Sequence, residues 1–419
     1  MTPFTWIEPA TTPSPMRLAQ LRLLQAAAGL SPDDSGPRRR LTQLLCEEGR
    51  AAEALALIER RVADAPEDDS ARLDLGGLLV RNGRFDDATA AFAHIEQGEL
   101  RQQALLGHGA ALRRQGQCAA ALPLLREALE LDADSQEAAR GVGSCLLRVG
   151  DGEALEALSR AAIDRFGAPS WALAQLCAAL ALQERTDELR ALLDYDRLVS
   201  VVDIPPPPPF ASVAAFNTAL AAELAVEAPF EWVGAEDRRD TVVRSARQAR
   251  SPRLAPLLAR DGENPSALAR LTAAFKAEAD CYRRQARAGP GHPHGLARPD
   301  AVTLDVQAHV LREDGRIAPH VHPQAWINAV YYAQVPETLG TSPSQAGWLC
   351  FGAPGHDDAR LARCWPTKRI EPRPGRLAIF PSYCSHYVTP SRCADPRLTV
   401  TFEVEAARAG PRASFGNQE

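Results

Sequence analysis

Three histidines and one arginine in the C-terminal third of the chain have the types and spacing needed for a redox metal site with an anchor for a dicarboxylate. His320 and His322 stand two residues apart. On an extended segment such residues share a face, so both imidazoles can reach one ion from the end of a strand. Pro323 then releases the chain from the ladder, because it has no N–H to donate. His386 follows the strand-like run Leu377 to Phe380 and the bend Pro381-Ser382, and it is the expected third ligand once a barrel closes. Arg397 falls on the next strand. Its guanidinium fork suits a bidentate carboxylate, and Thr399 faces the same side. Counting a strand from Trp326, the side chains of Trp326, Asn328, Val330 and Tyr332 share one face, which lets Tyr332 add a phenolic donor to the same carboxylate.

Short runs of strand-like alternation or β-branched enrichment must position these groups: Val302 to Leu311, Trp326 to Val335, Gly347 to Phe351, Arg376 to Phe380 and Leu398 to Val404. Separated by Gly- and Pro-rich turns, they argue for a sandwich or jelly roll whose mouth is lined by inward side chains. Val213 to Leu224 and Ser266 to Ala286 read as amphipathic helices flanking it. Before them Pro205 to Pro209 favour polyproline II and mark a domain boundary.

The first half repeats itself. Gly49, Gly83, Gly116 and Gly150 recur at 33 or 34 residues, each followed by an Ala- and Leu-rich stretch, and Glu184-Arg-Thr-Asp-Glu-Leu keeps the register without its glycine. Apolar stripes at i, i+3 and i+4 on both sides of the glycine make each unit a helical hairpin. Ala54, Ala88, Ala121 and Ala154 are the small residues expected where paired helices approach closely. By this period and pattern, residues 37–200 resemble the tetratricopeptide repeat family, which implies a stacked solenoid with a concave groove for a peptide or protein partner.

The motifs His-x-His-Pro-x-x-Trp, Val-Tyr-Tyr, Gly-Arg-Leu-x-x-Phe-Pro-Ser and His386 to Arg397 resemble the 2-oxoglutarate- and iron(II)-dependent oxygenases often fused to such repeats, and more distantly the prolyl hydroxylases. The resemblance covers residues 196–405 and implies a double-stranded β-helix. It also implies iron(II) held by His320 and His386, O2 as oxidant, and 2-oxoglutarate whose distal carboxylate is anchored by Arg397 with Tyr332 and Thr399. Asn328, with Ala329 where the family often has Ser-Gly, is counted with the cosubstrate-binding set. The activity implied is hydroxylation of a peptide or protein recruited by the repeats.

One departure from the family pattern bears on activity. His322 occupies the place of the Asp in the usual His-x-Asp, which leaves the iron site one negative charge short. His322 is expected as the third ligand. The alternatives are a water ligand, or a carboxylate such as Asp314 or Asp357 entering from a loop. Two rival functions follow: an inactive interaction scaffold with a degenerate barrel, and a three-His dioxygenase that does not use 2-oxoglutarate. Arg397 argues against the second.

The remaining candidates read as structural. His94, His108, His309 and His356 are expected to have no ligand role, and His292 and His294 to lie in an exposed Gly/Pro-framed loop. Trp326 is expected in the core or cavity wall, and Ser382 and Cys384 as small residues beside the pocket. Cys350, Cys364, Cys384 and Cys393 lack the close pairs of a zinc site.

Bulk properties bound the rest. The 419 residues exceed one ordinary core. The expected organisation is an α+β multidomain chain: an N-terminal helical segment over 1–36, an α-solenoid over 37–200, a Pro-rich linker with supporting helices over 201–300, the double-stranded β-helix (jelly roll) over 301–408 and a tail over 409–419. A net charge of −6 gives no overall attraction to nucleic acid or an anionic membrane. Nine cysteines without a C-x-x-C pair, and no apolar run near the ~20 residues that span a bilayer, lead to an expectation of a cytoplasmic protein with free thiols.

Overall fold

A computed structural model describes residues 5–7, 23, 24, 26, 35–47, 50–228, 230–233, 242–250, 254, 257–259, 265–285, 287, 289, 291–340, 345–354 and 359–407. Gly49, His356, Asp357, most of 1–36 and the 409–419 tail lie outside them. The chain divides into a helical unit over residues 12–158 and a β-rich unit formed by residues 1–11 and 159–419. Among the described residues no helix is long and apolar enough to cross a membrane.

The helical unit is a run of hairpins: α1 (Ser35–Glu47), α2 (Ala51–Asp64), α3 (Asp69–Arg81), α4 (Phe85–Ala93), α5 (Arg101–Arg114), α6 (Cys118–Leu131), α7 (Gln136–Val149) and the start of α8 (Gly152–Phe166). Gly83, Gly116 and Gly150 sit in the left-handed region at φ 73, 77 and 83°, where a Cβ is disfavoured, so the glycine period is a period of helix turns. Asp68 and Ser135 cap α3 and α7 by accepting from the backbone N–H of Ala71 and Ala138. Ala54, Ala88 and Ala121 are fully buried, as close helix approach requires. Ala154 is not, and the buried residue of its repeat is Leu155. The other three alanines stand five residues after their glycines, and Leu155, not Ala154, holds that offset.

Phe92 locks the second and third hairpins. Its ring edge lies in a notch between α3 and α5, where a Cβ added at Gly76 would stand 2.5 Å from the ring and one at Gly107 2.4 Å. The ring cannot retreat from one helix without meeting the other. Gly77, next to Gly76, faces open space.

In the β-rich unit, α9 (Ser170–Leu182) and α10 (Thr186–Leu192) keep the repeat register, with Glu184 at φ 57° in place of the turn glycine. α9 is buried on almost every side, and its Ser170 hydroxyl donates to the carbonyl of Ala325 at 2.6 Å. Then come α11 (Tyr195–Leu198), α12 (Val213–Glu227), α13 (Ala267–Arg284) and α14 (Pro293–Leu296). The strands are β1 (Thr5–Ile7), β2 (Ser200–Asp203), β3 (Glu231–Val233), β4 (Val243–Arg250), β5 (Ala301–His320), β6 (Ala325–Gln334), β7 (Leu349–Phe351), β8 (Lys368–Ile370), β9 (Arg376–Pro381), β10 (His386–Val388) and β11 (Arg397–Ala406).

Among the described residues these eleven strands form one curled sheet in the order β2-β9-β6-β11-β5-β10-β7-β8, with β4 and β1 also pairing to β5 and β3 to β4. All pairings but β1 with β5 are antiparallel. The result is a jelly roll with flanking helices. β2, β3 and β4 occupy a stretch where the sequence pattern shows only a linker and helices. Strand alternation divides β11 in two: Leu398, Val400, Phe402 and Val404 enter the core, while Arg397, Thr399, Thr401 and Glu403 face a cavity. The core is completed by α12 and α13, where Phe275 stacks on Phe402 at 4.3 Å and the Tyr331 hydroxyl donates to Asn217 Oδ1 at 2.6 Å.

Two adjacent glycines should answer an alanine scan with opposite signs. Gly76→Ala forces its Cβ against Phe92 and should destabilise the chain by about 1–3 kcal/mol. Gly77→Ala adds only helix propensity and should stabilise it by about 0.5–1 kcal/mol. Urea denaturation of both variants checks this, and equal effects would contradict the notch.

Candidate metal centre

The sheet brings the three histidines together. His320 ends β5 directly opposite His386, which begins β10. His322 lies two residues further on and is pinned through its backbone N–H to the carbonyl of Ser382 at 3.0 Å. The ring centroids lie 4.2 Å (His320 and His386), 4.7 Å (His320 and His322) and 5.2 Å (His322 and His386) apart. One ligand nitrogen from each falls within 4.8 Å of the others, the span of a single ion's coordination sphere. Asp314 is exposed on β5 and does not join them.

Hydrogen bonds set which nitrogen each ring offers. His320 Nδ1 lies 2.8 Å from the Ala318 carbonyl, His386 Nδ1 3.0 Å from that of Cys384, and His322 Nδ1 3.0 Å from Glu403 Oε2. An Nδ1 facing an acceptor carries the proton, so each Nε2 keeps its lone pair for a metal. Burial, reinforced by the neighbouring His322, lowers the His320 pKa to about 3. Burial, with His320 and His322 adding to it, also drives that of His386 well below its ordinary value. Both rings are therefore neutral at physiological pH, the form that ligates.

Behind the histidines lies a cavity of about 300 Å³, lined among others by Asn328, Val330, Phe380, Arg397, Thr399 and Glu403. Arg397 is fully buried, and its Nε, Nη1 and Nη2 have no hydrogen-bond partner among the described residues. Its guanidinium carbon lies 5.0 Å from the centroid of the Tyr332 ring, whose buried hydroxyl is also unpartnered. Burial lowers the pKa of Arg397 and raises that of Tyr332. Asn328 Oδ1 accepts from the Ser382 hydroxyl at 2.8 Å, which leaves its Nδ2 as a further unmatched donor. A guanidinium left in this state costs several kcal/mol unless an anion completes it. Three Nε2 donors therefore suit a divalent first-row transition metal, iron among them, and an anion such as a carboxylate would complete Arg397.

Trp326 leaves the face of Asn328 and Val330. A bulge opposite Val404 and Glu405 turns it into the core, where it stacks on His294 at 4.9 Å and donates through Nε1 to the His294 carbonyl. His294 is consequently buried, not in an exposed loop, and His292 caps α14 through Nδ1. Ser382 and Cys384 are fully buried but do not line the cavity. Among the described residues His94, His108 and the four cysteines form no metal-ligating group. His309, read as structural, does line the cavity, 3.0 Å from Gln248 Nε2. Gln307 and Glu403 line the cavity too, and neither is among the residues that the sequence motifs single out. The signal for Glu403 was available, since Arg397, Thr399, Thr401 and Glu403 alternate along one strand.

Residues 307–403 match the sequence model of the family described as "Putative 2OG-Fe(II) oxygenase", and residues 45–99 that of "Tetratricopeptide repeat". The first match lies within the β-rich unit and the second within the helical unit. Among solved structures the chain is similar to a Pseudomonas putida prolyl-4-hydroxylase (19% identity, 52% of this chain and 98% of that one, TM-score 0.33). It is similar also to a Trichoplax adhaerens prolyl hydroxylase in complex with a hypoxia inducible factor peptide fragment (13% identity, 53% and 91%, TM-score 0.33). A third similarity is to YrrB, a TPR protein with an unusual peptide-binding site (20% identity, 42% and 92%, TM-score 0.36). A search of curated proteins gave no match.

The lowered histidine pKa values carry a sign. Unfolded, His320 takes up a proton near pH 6.5, but in the fold not until about pH 3, so acid favours unfolding across that window. Metal-free protein should lose stability from pH 7 to 5, and His320→Asn should reduce the slope by about one proton. Thermal melts in chelator check this, and an unchanged slope would contradict it.

Proposed function

We propose that this protein is an Fe(II)- and 2-oxoglutarate-dependent dioxygenase that hydroxylates a peptide or protein segment recruited by the helical repeats. The observation that carries the reading is the combination, in one cavity, of three convergent imidazoles and a fully buried guanidinium with no partner among the described residues. His320, His322 and His386 would hold the metal through Nε2. Iron(II) held there would activate O2, the oxidant, so that one of its atoms would enter a substrate C–H bond and the other the succinate formed, with CO2, from 2-oxoglutarate.

The chain's own residues orient and protect that chemistry. The fork of Arg397 receives the distal carboxylate as a bidentate ion pair, and the hydroxyls of Tyr332, whose ring lies beside that guanidinium, and of Thr399, on the cavity wall, would donate to it as well. The free Nδ2 of Asn328 adds a donor on the cavity wall. Val330, Leu349, Phe380 and Val388 line the same space and keep water from it. A three-His dioxygenase without 2-oxoglutarate, or an inactive scaffold, would leave the Arg397 desolvation cost without compensation.

The reading predicts succinate release coupled to oxygen uptake when the purified chain receives Fe(II) and 2-oxoglutarate. In calorimetry Arg397→Ala should weaken 2-oxoglutarate binding by about 30-fold or more, since losing one partner of a buried charge pair costs about 2–5 kcal/mol. Iron loading should stay unchanged. Equal cosubstrate affinity in the variant would remove Arg397 from the site.

A further inference from the structure

His320 and His386 direct Nδ1 at neutral backbone carbonyls, whereas His322 alone directs it at a carboxylate, Glu403 Oε2 at 3.0 Å. That carboxylate is itself held: its Oε1 accepts from Gln307 Nε2 at 3.0 Å. Gln307 in turn accepts on Oε1 from Gln248 Nε2 at 2.9 Å, and its Nε2 also reaches Asp305 Oδ2 at 3.0 Å. The sheet fixes Glu403 between Asn328 of β6 and Asp305 of β5, on the cavity face it shares with Arg397 and Thr399. Side chains from three adjacent strands thus converge on the one histidine that stands where a carboxylate ligand is usual.

We infer that Glu403 is the positioning residue of His322, and that it supplies through the imidazole the negative charge that a carboxylate ligand would have given the metal directly. This rests on the iron-site reading above. A carboxylate accepting Nδ1–H makes the opposite nitrogen a stronger donor and fixes the ring plane. Gln307 and Gln248 keep Glu403 from turning toward solvent. The carboxylate has moved from the metal's ligand shell to the atom behind it, and the charge has stayed in the site.

The test uses the full chain with Co(II) alone as probe, read by calorimetry and by the visible d–d spectrum. Glu403→Gln keeps an acceptor for Nδ1–H and removes the charge. It should weaken Co(II) binding by about 10–100-fold, shift the visible band, and have no further effect once His322→Ala is present. Should that variant not fold, as judged by melting in chelator, Glu403→Asp withdraws the charge by one methylene and should show the same dependence on His322. Unchanged affinity and spectrum in a Glu403 variant, with tight binding by the wild type, would overturn the relay and leave the metal site standing. An equal loss in the His322→Ala background would overturn it too. Failure of the wild type to bind Co(II) would overturn both readings at once.

Discussion

The pairing of one long strand, β5, with several partners is the constraint on which the site depends. Near its start β5 runs in register with β11, and at its far end it pairs with β10, so His320 meets His386 across a single rung. Neither histidine could reach the other without the curl that lets one strand serve both neighbours. The same strand carries Gln307 and His309 on its cavity face and Val306 and Ala308 on its core face. A slip of one residue would exchange those faces, bury polar groups in the core and take Gln307 away from Glu403. The packing of Phe275 on Phe402 and the apolar surface of α12 and α13 hold that register.

Electrostatics then divide the cavity into two parts with different needs. At the mouth, burial keeps two imidazoles neutral, and the Glu403 carboxylate is held below its ordinary pKa by its contact with His322, against the opposing effect of burial. Deeper in, the Arg397 guanidinium sits against the Tyr332 ring with no counter-charge among the described residues. Both parts are incomplete polar arrangements held in place by a well-packed sheet. That is the usual state of a site built to be completed by a ligand.

Much of this was legible in the sequence because it depends on local periods. The glycine spacing exposed the helical hairpins, and the two-residue spacing of His320 and His322, with Arg397 and Thr399, exposed the cavity face. What escaped depends on backbone irregularity or long-range pairing. A bulge turned Trp326 out of its expected face, and a one-residue offset put Leu155 where Ala154 seemed to belong. β2 and β4 were hidden because their partners, β9 and β5, are distant in sequence, and β3 is a three-residue strand that pairs only with β4 among the described residues. Glu403 was overlooked because a Glu on a late strand is usually solvated. Its role appears only when His322, eighty-one positions earlier, is folded against it.

X-ray absorption at the iron edge of the Fe(II)-loaded full chain tests the central claim most directly, because imidazole rings leave a countable outer-shell scattering pattern. Convergence of His320, His322 and His386 on one ion predicts three imidazoles in the coordination sphere. Two imidazoles, with the third position filled by water or a carboxylate, would contradict it.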